Sequence, residues 1–265
     1  GPGAGFSNSH KSFFDPKVFR VIFFDQRGSG KSVPYAEIKN NNTDSLILDI
    51  NKLRISLNIK QWYLFGGSWG STLAIMYGIK FPDKCLGFIL RGIFLGSASE
   101  IDWFLYDINK FFPEAYNKFI SYVPKSYKKN ILKWFHLQLN INNKSVNLEA
   151  ASVWAEYENS CSSLGYVERP VSGESSLGIS RIEAHYFLNN CFIPKNFIIK
   201  NIDKISKIPA TIVQGRHDVI CPPFNALMLS KIWKASKINI VDDAGHSAFE
   251  DGISKRLIKA LQMIK

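Results

Sequence analysis

The sequence predicts an α/β fold, a mostly parallel sheet flanked by helices with a helical segment inserted between two strands. Three observations predict it. Short apolar runs alternate with amphipathic stretches over residues 19–95, and again over 210–265. That alternation builds parallel sheets with right-handed crossovers. Between the two regions, residues 97–207 carry aromatic helical patterns and no clear strand. Finally, Gly66-Gly67-Ser68-Trp69-Gly70 joins a strand to a helix, G-x-S-x-G in the setting of a nucleophile elbow. The turn is too sharp for Cβ atoms at its flanks, so glycine is expected at 66 and 70 and Ser68 is pushed out.

Length and composition narrow the function classes. A chain of 265 residues, 46% hydrophobic and 14% aromatic, can bury a sizeable core as one domain or a domain with an insert. No apolar run approaches the ~20 residues needed to span a bilayer, so no membrane role is expected. Gly1-Pro2-Gly3-Ala4-Gly5 lacks the basic and apolar regions of a signal peptide, although the chain has no initiator Met either. The net charge of +11 is scattered, densest only over Lys125–Lys133, and no nucleic-acid-binding motif accompanies it. No nucleic-acid partner is therefore expected. Cys85, Cys161, Cys191 and Cys221 lie far apart with no C-x-x-C pair. They suggest neither zinc nor a disulfide framework, and fit reduced thiols in a cytoplasmic protein. No metal or organic cofactor is implied.

Taken in order, the elements read as follows. Residues 1–12 are loop, and Phe19–Phe24 is a continuous apolar run expected to be a strand buried on both faces. The Asp25–Ser32 stretch ends in Gly30-Lys31-Ser32 but holds Asp25 where a phosphate-binding loop needs its first glycine, which excludes that motif. Thr43-Asp44-Ser45 opens a helix with Leu46, Ile47, Ile50, Leu53 and Leu57 on its apolar face. Trp62–Phe65 is the strand of the elbow, followed by a helix to about Lys80 that Phe81-Pro82 stops. Leu86–Leu95 is the next buried strand, interrupted by Arg91-Gly92. The insert has helical stretches at 102–112, 114–121, 127–139, 148–159 and 179–190, and a loop-like part from Ser160 to Gly178. Sheet pattern resumes with strands at 210–215 and 238–241, helices at 224–233 and 250–265, and a loop at Asp242–His246. The expected division is a core of residues 1–96 and 208–265 with a helical cap of 97–207.

A serine hydroxyl becomes a nucleophile only when a base takes its proton, and the base needs an orienting acid. In the α/β-hydrolase layout these follow the chain order Ser, acid, His, each after a strand. Ser68, Asp218 and His246 meet that order. His10 lies in a loop, and His136 and His185 in the insert; His217 would point away from Asp218. Asp242 and Asp243 sit too near His246 in sequence, while Asp25 and Asp49 precede the serine.

These residues, with Phe24–Ser32, Phe65–Ala74, Leu90–Phe94, Arg181–Phe187, Val213–Asp218 and Ala244–Ala248, make the sequence resemble the proline iminopeptidase (prolyl aminopeptidase) family of α/β-hydrolase serine peptidases. The likeness runs essentially end to end. It implies Ser68 as nucleophile, His246 as general base and then acid, and Asp218 as the group holding the imidazole. It further implies Trp69 N–H as one oxyanion donor and Gly1 as the second, from a His-Gly-Gly-Pro-Gly loop of which this chain carries Gly1-Pro2-Gly3. The family has strands before that loop that this sequence lacks. Glu158 and Glu183, from the cap, would hold the cationic N-terminus of a peptide beginning with proline, although Glu156 competes with Glu158 for the match. Phe94 would line the proline pocket. Two other functions are compatible with the residues: a carboxylesterase or amidase of the same fold, and an inactive hydrolase-fold binding protein.

Overall fold

Four strands, Trp62–Ser68 (β1), Cys85–Ile93 (β2), Ala210–Gly215 (β3) and Ser236–Val241 (β4), form one sheet in the order β1-β2-β3-β4, every neighbouring pair parallel. They belong to a computed structural model that describes residues 1–264. Because all four strands run the same way, the loops that follow β1, β3 and β4 leave one edge of the sheet. Both faces are apolar, as parallel strands require. Phe88, Leu90 and Ile212 are buried on one face, and Ile89, Val213 and Val241 on the other.

The helices cover those faces. Thr43–Ser56 (α1) buries Leu46, Ile47 and Ile50, and its first turn is capped by Asn42, whose side chain accepts from Ser45 N at 2.9 Å. The helix thus opens at Thr43, as expected, with the cap supplied by the preceding Asn42. Trp69–Lys80 (α2) is buried along nearly its whole length, apolar all round as a helix wedged between sheet and insert must be. Pro223–Ile232 (α9) and Asp251–Gln262 (α10) close the remaining surfaces, the latter with Ile253, Leu257, Ala260 and Leu261 turned inward.

Between β2 and β3 the chain is helical: Ala98–Asp102 (α3), Pro113–Ser121 (α4), Ile131–Asn140 (α5), Lys144–Ser160 (α6), Gly173–Leu188 (α7) and Phe197–Asn201 (α8). No strand occurs there among the described residues. α4 to α7 share an aromatic core of their own. Phe119 stacks on Tyr157 with ring centroids 4.2 Å apart and on Phe135 at 4.7 Å, and Trp154 meets Phe135 edge-on at 5.1 Å. Each such pair adds about 0.5–1.5 kcal/mol beyond the area it buries.

Three expectations change. Phe19–Phe24 forms no ladder; Phe23 packs against Phe6 at 4.3 Å and against Phe14 at 5.6 Å. A strand is defined by backbone partners, and side-chain patterning cannot supply them. β2 ends at Ile93, two residues before the expected Leu95 and one after Gly92, whose φ is a left-handed +56°. The elbow needs only one of its two flanking glycines: a Cβ on Gly66 would lie 2.3 Å from Gly70 O, whereas one on Gly70 meets nothing within 4 Å.

Gly66→Ala is therefore expected to lose about 1–3 kcal/mol of stability through forced backbone displacement, and Gly70→Ala to stay within about 0.5 kcal/mol of the parent. Urea denaturation of both variants checks this pair of outcomes.

Candidate active site

Ser68 closes β1 and precedes α2 with φ 55° and ψ −124°, a conformation that a residue with a Cβ adopts only under constraint from its surroundings. Its hydroxyl is thereby held off the strand end. Trp69 begins α2, so its N–H is one of the first-turn donors without an intrahelical partner. The loops after β3 and β4 bring Asp218 and His246 together. His246 Nδ1 lies 2.8 Å from Asp218 Oδ2 and 3.0 Å from Oδ1, with both residues buried. Gly92 makes room for this pair, since a Cβ there would lie 3.0 Å from His246 Cε1 and 3.3 Å from Asp218 Oδ2.

The rival residues are engaged elsewhere. His217 is exposed, and Asp242 pairs with Arg216 on the surface at 3.0 Å. Asp25 accepts from Phe6 N and Lys31 N within a turn, and Asp49 is paired with Arg27. His136 and His185 face one another on the insert.

Arg91, the charged residue that interrupts the apolar run of β2, sits against His246. Its Nη1 donates to His246 Nε2 at 3.0 Å and to His246 O at 2.8 Å. A guanidinium has no acceptor, so Nε2 must present its lone pair and Nδ1 must carry the proton given to Asp218. That is the tautomer a general base needs. The lone pair is nonetheless occupied: the hydroxyl of Ser68 finds Cys221 Sγ at 3.9 Å and neither ring nitrogen. Proton transfer from Ser68 requires its Oγ to replace Arg91 Nη1 there. Burial lowers the Arg91 pKa, against the pull of Asp218. Burial also pushes the Cys221 thiol well up, so it stands beside Ser68 as a neutral neighbour. A charged residue within a buried strand was the available signal for Arg91.

Ser68, Trp69 and Phe94 line a cavity with Glu158, Glu183 and Gly1. It encloses about 20 Å³, room for about one water, so a larger occupant requires side chains to move. α6 supplies Glu158 and α7 supplies Glu183, the latter 2% exposed. Glu183 Oε2 accepts from Trp154 Nε1 at 2.7 Å, while Glu158 Oε2 is buried with no partner. The Gly1 nitrogen lies between the two carboxylates, 3.6 Å from Glu158 Oε1 and 3.7 Å from Glu183 Oε1. Glu156, the competitor of Glu158, turns outward to Lys118 at 3.4 Å. Desolvation, then the neighbouring charge of Glu158, pushes the Glu183 carboxyl up to about 8. Phe94 is buried with its ring 6.0 Å from that of Phe187, and its carbonyl accepts from Thr72 Oγ1 at 2.6 Å. Among the described residues no group of three or more His, Cys, Asp or Glu could hold a metal ion.

Fold and site together define an α/β hydrolase of the serine type, and the family model for the alpha/beta hydrolase fold matches residues 3–253. Among curated relatives, a proline iminopeptidase of Arabidopsis thaliana is 42% identical over all of this chain and 72% of its own length. A probable proline iminopeptidase of Leptolyngbya boryana is 41% identical over 98% of this chain and 83% of its own. A thermophilic esterase from Thermogutta terrifontis superposes with a TM-score of 0.54 over 94% of this chain and 80% of that one, at 17% identity, a likeness of fold alone. The chain belongs to the proline iminopeptidase family of α/β hydrolases.

The raised Glu183 carboxyl has a consequence for stability. Between its ordinary value of 4.5 and about 8 the folded chain keeps a proton that the unfolded chain has lost. Its contribution to stability therefore falls as pH rises through that window. Glu183→Gln, which cannot ionise, is expected to gain a few degrees in melting temperature over the parent at pH 8 and little at pH 4.5. Thermal scans of both proteins across this range check the crossing.

Proposed function

We propose that this chain is a serine aminopeptidase that releases proline from the N-terminus of peptides through an acyl-enzyme. The observation that carries the reading is the opening of two carboxylates, buried Glu183 and partly buried Glu158, onto the same cavity as Ser68. An exopeptidase must recognise a free amine one residue from the attacked carbonyl. N-terminal proline is a secondary ammonium with two N–H bonds, and a pair of carboxylates matches both. The partnerless Glu158 Oε2 is the acceptor such a substrate would satisfy. Phe94 and Phe187 supply apolar walls for the ring.

Ser68 Oγ attacks the prolyl carbonyl as His246 Nε2 takes its proton. Asp218 holds the imidazole and offsets the charge that forms on it. The oxyanion is met by Trp69 N–H, and losing such a donor costs about 10²–10³ in rate; the Gly1 nitrogen, the second donor expected from the resemblance, stands instead between Glu158 and Glu183. His246 returns the proton to the leaving amine, the C–N bond breaks and a prolyl ester remains on Ser68. Water, deprotonated by the same base, then releases proline.

Residues 97–207 act as a cap that delivers the amine-binding carboxylates, and 1–96 with 208–265 as the catalytic core. No helix among the described residues is long and apolar enough to cross a membrane, and all four cysteines are free and buried. A cytoplasmic location suits those thiols.

Ser68→Ala is expected to abolish release from a proline anilide while leaving the melting temperature unchanged; retained turnover would reject the nucleophile. Glu183→Gln should raise KM for anilides with a free amine at least 10-fold and leave simple-ester hydrolysis nearly unchanged. Equal losses on both substrates would reject the amine anchor.

A further inference from the structure

Gln214 lies in β3, wholly buried, four residues before Asp218. Its amide is fully committed. Oε1 accepts from Ile93 N at 3.0 Å, and Nε2 donates to Asp218 Oδ2 at 3.1 Å and to Cys221 O at 2.9 Å. Only this orientation fits, because Ile93 N is a donor and the other two groups are acceptors. Asp218 Oδ2 is also the atom 2.8 Å from His246 Nδ1, while Asp218 Oδ1 takes Cys221 N at 2.7 Å. Asp218 therefore has three donors, and Gln214 is the one anchored in the sheet. Among the described residues no other side-chain hydrogen bond ties the Asp218–Cys221 turn to β2.

We propose that Gln214 is a positioning residue for the acid–base pair. Its amide fixes Asp218 Oδ2 in register with His246 Nδ1 and locks the Asp218–Cys221 turn to β2 through Ile93. Two effects follow. The rotation of the carboxylate is removed, so the imidazole is held in one orientation before substrate arrives. One N–H also shares the charge on Oδ2, so the strength of the His246–Asp218 hydrogen bond depends on the amide. A residue that merely filled β3 would have neither effect. A large polar side chain inside a buried strand has to be fully paired to be tolerated; here the pairing runs to the residues of the proposed triad. The proposal rests on the triad reading above.

The test separates the two. Labelling of the unsubstituted protein at Ser68 by a fluorophosphonate tests the triad; failure there rejects that reading and this one with it. Given parental labelling, Gln214→Glu keeps shape and the acceptor for Ile93 N but cannot donate to both Asp218 and Cys221. We expect it to fold, to label about 10- to 100-fold more slowly, and to displace the far-downfield proton resonance of His246 Nδ1–H. Parental labelling and an unmoved resonance in the folded variant would overturn the proposal while leaving the triad intact. A second measurement needs no variant. The chain has five glutamines, so ¹⁵N-glutamine labelling gives a sparse spectrum in which the Gln214 amide is found by its contact with the Ile93 N–H. Its resonances should shift when the phosphonate occupies Ser68 and the imidazole becomes charged. Resonances that stay put would overturn the positioning role.

Discussion

The backbone of Ser68 is the constraint on which the rest depends. A residue at φ 55° and ψ −124° between a strand and a helix is held there by what surrounds it. Gly66 must lack a Cβ because Gly70 O fills that space, and Ser71 Oγ reaches back to Ser68 O at 2.6 Å. The same turn aims the first N–H groups of α2 beside the serine hydroxyl. Strain at the strand end and the anion-stabilising end of a helix are thus one piece of geometry.

The parallel sheet extends that logic across the molecule. With β1, β3 and β4 all pointing one way, the loops that follow them leave the same edge of the sheet; Asp218 and His246 meet there, and Ser68 Oγ lies 3.9 Å from Cys221 Sγ at the end of the Asp218 turn, although all are far apart in sequence. Gly92 leaves the space the imidazole occupies, and Arg91 beside it donates to the imidazole Nε2. On the proposed reading of His246 as base, the geometry is a resting one, with the ring in the needed tautomer and its lone pair in use. The helical insert adds what the sheet lacks, two neighbouring acidic groups largely shielded from water, at the cost of a Glu183 carboxyl that ionises only near pH 8. That pairing is stabilising only when a cationic nitrogen stands between them.

Much of this was legible in the sequence. The elbow declares itself because strand, glycine, serine and helix are local in the chain, and the order of serine, acid and histidine follows from the same layout. The helical insert was visible as a change of period. What escaped is what depends on partners. Phe19–Phe24 looks like a strand by composition but has no ladder. Gly70 looked obligatory by symmetry with Gly66, yet only three-dimensional neighbours decide which glycine is needed. Arg91 and Gln214 were hidden because a polar residue in an apolar run shows only that it needs a partner, not which. Glu158 and Glu156 stand two apart on α6, and only the packing of α6 against α4 and α7 turns one to the cavity and the other to Lys118.

The central claim is that an activated serine and a paired-carboxylate amine site form one cavity, so that chemistry is conditional on a free N-terminus. The most direct measurement compares turnover of proline anilide with that of its N-acetylated form by the unsubstituted protein. The account predicts rapid release from the free amine and loss of at least 100-fold on acetylation, since acetylation removes the cation and leaves both carboxylates unpaired in a buried site. Comparable rates for the two substrates would contradict it.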